Sequence, residues 1–481
     1  MASTTASSKA GAGQGAYAPG PARVATEHWL RRALAARTQA RDEAAVCAAL
    51  DAAASAAQAD ADACALLGDC CSRLECFDRA WSAYDRALSL QPGRAVYWFN
   101  RAAINRILGR LDQAQADYDA CLRLDPQDTQ ACLNRADLRV QTAQDNHIDA
   151  LEALLARGGW GWQREVPLRY ALAKEYEDLG DSVRAWQHLS AGASLRRRHL
   201  QYEPQVDLAT VDWLQSAFAQ GVPAGALAGS GHPSGEPIFL VGMPRTGSTL
   251  VDRMLDSHSA VRSAGEMLHM GNAVVDAARR LLGRAGTREQ LIAASARIDF
   301  AALGSDYLAR TRPATGHSPH FTDKLPLNYL YCAHIAAALP NARIVHVTRH
   351  PMATCYGVYK VLFEQGYPFS YTLAEIADYY LAYRRLMDHW QRVLPGRILT
   401  IAYEDLVDAP EAQCRGLLAG LGLPWEEACL AFERNPAPSS TASASQVRRP
   451  LYRSARDQWR AYAAQLEPLR QRLVAGGLAC D

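Results

Sequence analysis

Residues 237–249, PIFLVGMPRTGST, decide how the second half of the chain folds. The run at 238–241 contains no polar side chain, which is typical of a strand buried on both faces of a parallel sheet. Apolar residues then recur at three- and four-residue spacings over 248–258, the pattern of a helix that packs on a sheet. The stretch therefore predicts a strand, a tight turn and a helix.

The turn at 242–249, GMPRTGST, has the composition of a phosphate-binding loop. Gly242 and Gly247 allow sharp turns that bring backbone N–H groups together, and the start of a helix adds partial positive charge. A nucleotide-hydrolysing loop carries a lysine after its second glycine, but Ser248 stands there, and Arg245 is the strong cation of the loop. No apolar strand ends in an aspartate that would hold magnesium, so we expect an anion site without a metal.

Length and composition are those of an ordinary globular protein. The chain has 481 residues, 49% of them hydrophobic and 21% charged, and a formal charge of +1. This length suits two or three domains, and the balanced charge favours neither nucleic acid nor a membrane surface as a partner. Residues 1–24 lack the apolar segment of a signal peptide and are predicted to be a disordered tail in a cytoplasmic protein. The twelve cysteines form no paired C-x-x-C sets, so we expect reduced thiols and no zinc.

Residues 25–220 form the first predicted domain, and they repeat with a period of 34 residues. A shift by 34 places overlays Leu74 on Leu108, Ala80 on Ala114, Tyr84 on Tyr118, Pro92 on Pro126, and NRA at 100–102 on NRA at 134–136. This period resembles the tetratricopeptide repeat, a helix-turn-helix unit that stacks into a superhelix. The Leu-Gly pair at 179–180 follows the one at 108–109 by 71 residues, three more than two periods, and we predict the insertion in 156–162.

A Gly/Pro/Ser/Ala-rich connector at 221–236 separates the repeats from the second predicted domain at 237–481. Beyond it, apolar strand candidates at 238–241, 343–348 and 397–403 alternate with helical patterns. This order predicts an α/β domain with a parallel sheet. The fold class is therefore multidomain, an α-helical repeat array followed by a P-loop-like α/β domain.

Four motifs in the second domain resemble the sulfotransferase family. They are PIFLVGMPRTGSTLVDRMLDSH, FTDKLPLNYLYCAHIAAALPNARIVHVTRHPMATC, ILTIAYEDLV and STASASQVRRPLYRSARDQW, in this order. Four ordered motifs are more specific than one loop. The chain resembles bacterial proteins that join tetratricopeptide repeats to a sulfotransferase domain and, more distantly, the tyrosylprotein sulfotransferases.

The resemblance implies that 3′-phosphoadenosine 5′-phosphosulfate (PAPS) is the donor and 3′-phosphoadenosine 5′-phosphate (PAP) the product. It implies a phosphosulfate loop of Arg245, Thr246, Gly247, Ser248 and Thr249, and further nucleotide contacts from Arg349, Tyr403, Ser443, Arg448 and Arg449. Hydroxyls, backbone N–H groups and guanidinium groups suit phosphate oxygens. The family usually carries a serine where this chain has Gly357, so Thr354 and Lys360 are the candidates to replace that hydroxyl.

The resemblance also implies which residues act as the base and which stabilise the leaving group. Glu266, 21 residues after Arg245, resembles the general base that deprotonates the acceptor hydroxyl, with His320 as the reserve candidate. Lys324 resembles the lysine that stabilises the leaving phosphate, together with Arg245 and Ser443. On the residues alone, a glutamate that opens a helix is more often a dipole partner, and Lys324 could form a surface pair with Asp323.

The implied function is metal-free transfer of a sulfuryl group to a hydroxyl of a protein, a peptide or another acceptor. The repeats favour a protein or peptide partner, which is a candidate acceptor, and they equally suit a homodimer. The alternative function is a repeat scaffold with an inactive PAPS-binding-like domain, which the missing serine at 357 favours. A nucleotide kinase or hydrolase would need the lysine that is absent after Gly247.

Overall fold

The computed structural model describes residues 20–37, 42–222, 231–363, 366–441, 444–449, 451 and 454–481. The chain divides into two compact units. Of the described residues, the repeat unit comprises 20–196 and Pro436–Arg448, and the α/β unit comprises Arg197–Asn435 and Arg449–Asp481. The units thus divide at Arg196, and not at the connector predicted at 221–236. A helix begins at Pro21, inside the tail predicted at 1–24, and residues 1–19 lie outside the described residues.

The described part of the repeat unit is built from α-helices. In chain order they are α1 (Pro21–Ala35), α2 (Glu43–Ala57), α3 (Ala61–Arg73), α4 (Phe77–Leu90), α5 (Ala95–Ile107), α6 (Leu111–Leu124), α7 (Thr129–Ala136), α8 (Ile148–Ala156), α9 (Trp162–Asp178) and α10 (Ser182–Arg198). Helices α3, α5 and α7 begin 34 residues apart, as the sequence period predicts. Small residues allow close crossings, because a β-carbon at Gly68 would lie 2.7 Å from the ring of Tyr84.

The break in the period lies elsewhere than predicted. Helices α6 and α8 begin 37 residues apart, three more than one period, whereas α8 and α10 are again 34 residues apart. The three extra residues therefore lie between α7 and α8, within 137–147, and not in 156–162. The insertion was predicted in the ARGGWGW stretch at 156–162 because glycines are typical of a loop. These glycines follow the end of α8, but the 34-residue period is unchanged there.

The α/β unit confirms the strand, turn and helix predicted within 237–258. Its elements are α11 (Pro204–Ala217), β1 (Pro237–Gly242), α12 (Ser248–Asp256), β2 (Val261–Ser263), α13 (His269–Leu282), α14 (Arg288–Ser295), α15 (Phe300–Thr315), β3 (His320–Asp323), α16 (Cys332–Ala338), β4 (Arg343–Thr348), α17 (Pro351–Tyr359), α18 (Leu373–Val393), β5 (Ile398–Ala402), α19 (Tyr403–Asp408), α20 (Pro410–Leu421), α21 (Ser454–Asp457) and α22 (Glu467–Ala475).

The sheet of the α/β unit has five strands in the order β2-β3-β1-β4-β5, and every pairing is parallel. All six residues of β1 are buried, as its uninterrupted apolar run predicts for a central strand. Leu240 of β1 packs in one core with Val251 and Met254 of α12, which fixes this helix on the sheet. Each such buried side chain stabilises the fold by about 1.5–3 kcal/mol. The loops after the strands are thereby held at one edge.

Among the described residues, no helix is both long and apolar enough to cross a membrane. All twelve cysteines are free thiols, and most of them are buried. They therefore serve as small core residues in both units, as their positions predict.

Candidate functional site

One edge of the sheet collects residues that are far apart in the sequence. A candidate residue follows each strand within three positions: Arg245 after β1, Glu266 after β2, Lys324 after β3, Arg349 after β4 and Tyr403 after β5. Because the strands are parallel, their carboxyl ends meet at this edge, where open α/β sheets bind their ligands. The fold thus brings these five candidate residues to the same edge of the sheet.

Glycines give the loop after β1 its shape. Gly242 has a φ of +149°, and a β-carbon there would lie 2.6 Å from the carbonyl oxygen of Val347. Gly247 has a φ of +97°, and its β-carbon would lie 2.6 Å from the ring of Tyr403. Both positions combine a left-handed backbone with a close approach, so a side chain cannot be added without movement.

Hydrogen bonds close this loop onto the start of α12. The hydroxyl of Thr246 donates to the carbonyl of Met243 at 2.9 Å. The N–H groups of Leu250 and Val251 donate to the carbonyl of Gly247. The N–H groups of Ser248 and Thr249 therefore precede the helical ladder at the positive end of α12, which suits an anion. The Thr246 hydroxyl, which the resemblance places on the donor, is engaged within the loop itself.

Two arginines stand together beside the loop. Arg245 has a φ of +68°, a conformation that costs a non-glycine residue about 1–2 kcal/mol. Nη1 of Arg349 donates to the carbonyl of Arg245 at 3.0 Å, and its Nη2 donates to the carbonyl of Ala455. The Arg349 guanidinium also lies 4.7 Å from the ring centre of Tyr403. The ends of β4 and β5 are thus joined to the loop after β1.

Gly357 lies on α17 directly against this pair. A β-carbon at Gly357 would be 3.3 Å from Cβ of Arg245 and 3.8 Å from Nη1 of Arg349. The two predicted replacements for a hydroxyl at this position are engaged elsewhere. The Thr354 hydroxyl donates to the carbonyl of Arg349 at 3.3 Å, and Lys360 Nζ donates to Gln458 at 2.8 Å.

Glu266 and Lys324 form an ion pair at the ends of β2 and β3. Pairing of the two segments continues past the strands, because the N–H of Ala264 donates to Thr322 and the N–H of Lys324 donates to Gly265. This continuation brings Nζ of Lys324 to 2.5 Å from Oε1 of Glu266. The lysine side chain is 1% exposed and the glutamate side chain 12%, so the pair is largely shielded from water.

A second carboxylate, Asp252 of α12, contacts the two strands that carry this pair, and it was not predicted. Its oxygens accept hydrogen bonds from the hydroxyl of Thr322 at 2.5 Å and from the hydroxyl of Ser263 at 2.9 Å. Burial raises the pKa of Asp252 to about 6, against the opposing charge of Lys324 and these hydrogen bonds. Asp252 therefore ties α12 to the ends of the two strands that carry the ion pair. The sequence signal was a carboxylate directly after Leu250 and Val251 in the apolar stripe of α12.

Asp323 is also buried, and it is not the surface partner of Lys324 that the residues alone suggested. It accepts hydrogen bonds from the hydroxyl of Tyr307 at 2.9 Å and the amide of Asn328 at 3.0 Å. Burial raises its pKa to about 7. Asp323 thus belongs to a buried network that holds the end of β3, and Lys324 pairs with Glu266 instead.

The histidines take structural positions. His346 is buried in β4 against the hydroxyl of Tyr383, and burial lowers its pKa to about 3. His320, the reserve candidate for a base, begins β3 and bonds the carbonyl of Gly235 at 3.1 Å. Since Lys324 follows the other end of β3, His320 lies about 13 Å away at the opposite edge. It is therefore excluded as a partner of the Lys324 pair.

The segment that carries Ser443, Arg448 and Arg449 is divided between the two units. Arg448 belongs to the repeat unit, where its Nη2 donates to the carbonyl of Ala437 at 2.7 Å and its Nε would lie 2.6 Å from a β-carbon at Gly109. Arg449 is half-buried and belongs to the α/β unit. Ser443 lies outside the described residues. Among the described residues, no group of three or more His, Cys, Asp or Glu side chains could hold a metal ion.

Known proteins resemble long parts of the chain. An uncharacterised protein of Aquifex aeolicus (strain VF5) is 29% identical over 376 residues, which cover 77% of this chain and 49% of that protein. The protein-tyrosine sulfotransferase of Drosophila melanogaster is 26% identical over 250 residues, 46% of each chain. The chain thus spans about half the length of these curated relatives. The sulfotransferase domain of the Synechococcus PCC 7002 olefin synthase is 21% identical, with a TM-score of 0.37 over 52% of this chain and 96% of that domain.

Two family models match the chain in the order that its motifs predict. Residues 95–128, which span α5 and α6, match the tetratricopeptide repeat. Residues 237–427, which span all five strands, match the sulfotransferase family. The protein therefore joins a tetratricopeptide-repeat region to a domain that belongs to the sulfotransferase family.

Proposed function

We propose that the protein transfers a sulfuryl group from PAPS to a hydroxyl of an acceptor. The observation that carries the proposal is the meeting of Arg245, Lys324 and Arg349 with the carboxylate of Glu266 at the carboxyl edge of the sheet. Such an edge offers cations that can bind a polyanionic donor, and it also offers a base for the hydroxyl of an acceptor. A scaffold that lacked activity would have no need of the paired base and lysine, so this alternative is not favoured.

The residues of the edge fit the donor chemically. The loop of Arg245, Thr246, Gly247, Ser248 and Thr249 offers a guanidinium, hydroxyls and the positive end of α12 to a phosphosulfate group. Arg349 would hold the 3′-phosphate, and Tyr403 lies beside it for the nucleotide. PAPS would supply the sulfuryl group and a phosphate that leaves with the electron pair of the broken S–O bond.

Glu266 would accept the proton of the acceptor hydroxyl on a carboxylate oxygen. Its Oε1 is engaged by Lys324 in this structure, which orients the carboxylate toward the edge. Lys324 would turn from Glu266 to donate a hydrogen bond to the leaving phosphate, and this movement releases Oε1 for the proton. Because the ammonium group is buried, its attraction for the charge that develops there is screened less than in water. Asp252 would act as a positioning residue that holds both strand ends.

The relatives and the repeats support a proposal for the acceptor and the partner. The Drosophila relative is a protein-tyrosine sulfotransferase, and tetratricopeptide repeats suggest protein interaction. We infer that the acceptor is a tyrosine or another hydroxyl of a protein or peptide, and that the repeat unit binds this partner. A homodimer through the repeats is the second candidate for their role.

Calorimetric titration with PAP in magnesium-free buffer tests the donor site. The wild type is expected to bind PAP with micromolar affinity, and Arg245→Ala is expected to weaken binding at least about tenfold, since a charge-assisted hydrogen bond contributes about 1.5–3 kcal/mol. Arg385→Ala is the matched control, because Arg385 pairs with exposed Asp212 on the surface. A folded wild type that does not bind PAP would overturn the proposal.

Transfer itself is tested with radiolabelled PAPS and tyrosine-containing peptides. Glu266→Gln is expected to reduce transfer about 10²–10⁴-fold, as for loss of a general base, while PAP still binds. The glutamine keeps the shape and a hydrogen-bond acceptor for Lys324, so the loss isolates proton transfer. Unchanged transfer by this variant would assign the base to another group.

A further inference from the structure

A segment from the second half of the chain packs on the repeat unit at the ends of α5 and α7. This internal segment comprises residues 436–448, of which the structure describes 436–441 and 444–448. It belongs to the repeat unit, although the residues directly before and after it belong to the α/β unit. None of its described residues lies in a helix or a strand. The repeat unit therefore holds it as an irregular peptide.

Two hydrogen bonds join the internal segment to helix ends. The N–H of Ser439 donates to the carbonyl of Ile107, the last residue of α5, at 2.9 Å. The hydroxyl of Ser445 donates to the carbonyl of Asp137, the residue after α7, at 3.0 Å. Carbonyls at the carboxyl end of a helix have no N–H partner within that helix. The segment thus supplies donors to two consecutive repeats.

Arg448 lies against the turn between α5 and α6. Gly109 in this turn has a φ of +78°, and a β-carbon there would lie 2.6 Å from Nε and 2.7 Å from Cζ of Arg448. Gly180, the equivalent residue between α9 and α10, has a φ of +79°, but its β-carbon would meet nothing within 4 Å. The glycine at 109 therefore admits the guanidinium to the backbone. The carboxyl end of a helix also favours a cation through its partial negative charge.

The internal segment is buried as well as hydrogen-bonded. Ala444 is 1% exposed, Val447 6% and Thr441 7%. The sequence of the segment, PAPSSTASASQVR, consists of small or uncharged residues except for its final arginine. Main-chain hydrogen bonds combined with burial of selected side chains are a common way of binding an extended peptide. The contacts on α5 and α7 have both features.

We propose that the ends of α5 and α7 form a peptide-binding surface of the repeat unit, and that the internal segment is its resident ligand. An external partner that fits this surface is an unfolded peptide rich in serine, alanine and proline, with one arginine and no acidic residue. The helix ends repel acidic side chains. The attached segment has an effective concentration of up to about millimolar, so it excludes an external peptide of equal intrinsic affinity. The proposal is independent of sulfuryl transfer, because every contact that carries it lies within the repeat unit.

Fluorescence anisotropy with a labelled peptide of residues 436–448 tests the surface on the full-length protein. The double variant Ser439→Pro/Val447→Asp is expected to release the internal segment, because it removes one N–H donor and puts a charge at a buried position. We expect it to bind the peptide at least about tenfold more tightly than the wild type does. Pro438→Ala changes an exposed position of the segment and should behave as the wild type. A folded double variant that does not bind the peptide, or a wild type that binds it equally well, would overturn the proposal.

The contact between Arg448 and Gly109 tests where the peptide binds. Added to the double variant, Gly109→Ala is expected to weaken peptide binding at least about tenfold, because the β-carbon meets the guanidinium. Gly180→Ala is the matched control, since it imposes the same left-handed backbone on alanine without that contact, and it should leave binding unchanged. A peptide with alanine in place of Arg448 should not respond to Gly109→Ala. Equal responses of the two peptides would show that the arginine does not bind at this turn.

Hydrogen exchange of the wild type tests the resident ligand without any substitution. The amide of Ser439 is expected to exchange much more slowly than in the free peptide, because it donates to the carbonyl of Ile107 in the folded repeat unit. Exchange at the rate of the free peptide would overturn the proposal, and this result does not depend on whether the double variant folds.

Discussion

Gly357 lies close against the two arginines of the proposed donor site, and Arg245 would have to shift by a few tenths of an ångström to admit a side chain there. A β-carbon there would contact Arg245 and Arg349, and the helical backbone of α17 accommodates serine. We expect Gly357→Ser to tighten PAP binding about fivefold, since a new hydrogen bond contributes about 1 kcal/mol. Gly357→Ala adds the same β-carbon without the hydroxyl, and titration should find its affinity within about twofold of the wild type. Equal changes in both variants would mean that crowding, not the hydroxyl, controls binding.

The buried carboxyl group of Asp252 predicts how the free energy of unfolding depends on pH. Burial raises its pKa from 3.8 to about 6, so the folded protein binds this proton more tightly than the unfolded chain. Its contribution to the free energy of unfolding therefore falls as pH rises from about 4 to about 6. Asp252→Asn removes this titration and keeps an acceptor for Thr322. Urea unfolding at pH 4.5 and pH 7 should show a smaller loss of stability in the variant than in the wild type, by about 2 kcal/mol.

The control for this prediction is Asp388→Asn, because Asp388 is an exposed residue of α18 whose side chain is 61% accessible. It should leave the difference between the two pH values unchanged. If Asp252→Asn and the wild type lost equal stability between the two pH values, Asp252 would be ionised in the folded protein throughout this range.

At the scale of elements, the junction of β1 and α12 depends on Gly247. Alanine at this position would have to adopt a left-handed conformation and meet the ring of Tyr403. We expect Gly247→Ala to lower the free energy of unfolding by at least about 1–2 kcal/mol and to weaken PAP binding at least about tenfold. Gly416→Ala in α20 is the control, since its β-carbon would meet nothing within 4 Å, and it should stabilise by about 0.5–1 kcal/mol. Similar urea unfolding curves for the two variants would contradict this account.

How much the sequence predicts also depends on the element. The strand β1 and helix α12 were predicted from their own patterns, because a central strand is apolar throughout and the helix has a regular stripe. The strands β2 and β3 have three and four residues, too few for a pattern, and they form through pairing with neighbours. Glu266 and Lys324 were therefore found by family resemblance alone, and their ion pair is new from the structure. Asp252 was missed because a sequence does not show which carboxylate is buried.

At the scale of the whole molecule, the chain leaves the α/β unit at Asn435 and returns at Arg449. The intervening residues that the structure describes pack within the repeat unit, where the N–H of Ser439 donates to the carbonyl of Ile107 at 2.9 Å and the hydroxyl of Ser445 donates to the carbonyl of Asp137 at 3.0 Å. No local pattern predicts this division, because it depends on contacts between residues more than 300 positions apart. The resemblance assigned the same segment to the donor nucleotide.

Arg448 lies within this segment. A variant of Arg448 tests whether this residue supports the repeat unit or binds the donor nucleotide. In the repeat unit it packs on Gly109 and donates to Ala437, so Arg448→Ala should lower the thermal unfolding temperature by a few degrees, since a hydrogen bond and its packing contribute about 1 kcal/mol. We expect its PAP affinity to stay within about twofold of the wild type, whereas Arg349→Ala should lose at least about tenfold. Calorimetry and thermal unfolding of both variants measure this contrast. A tenfold loss of PAP affinity in Arg448→Ala at unchanged stability would instead assign Arg448 to the donor, as the family resemblance implies.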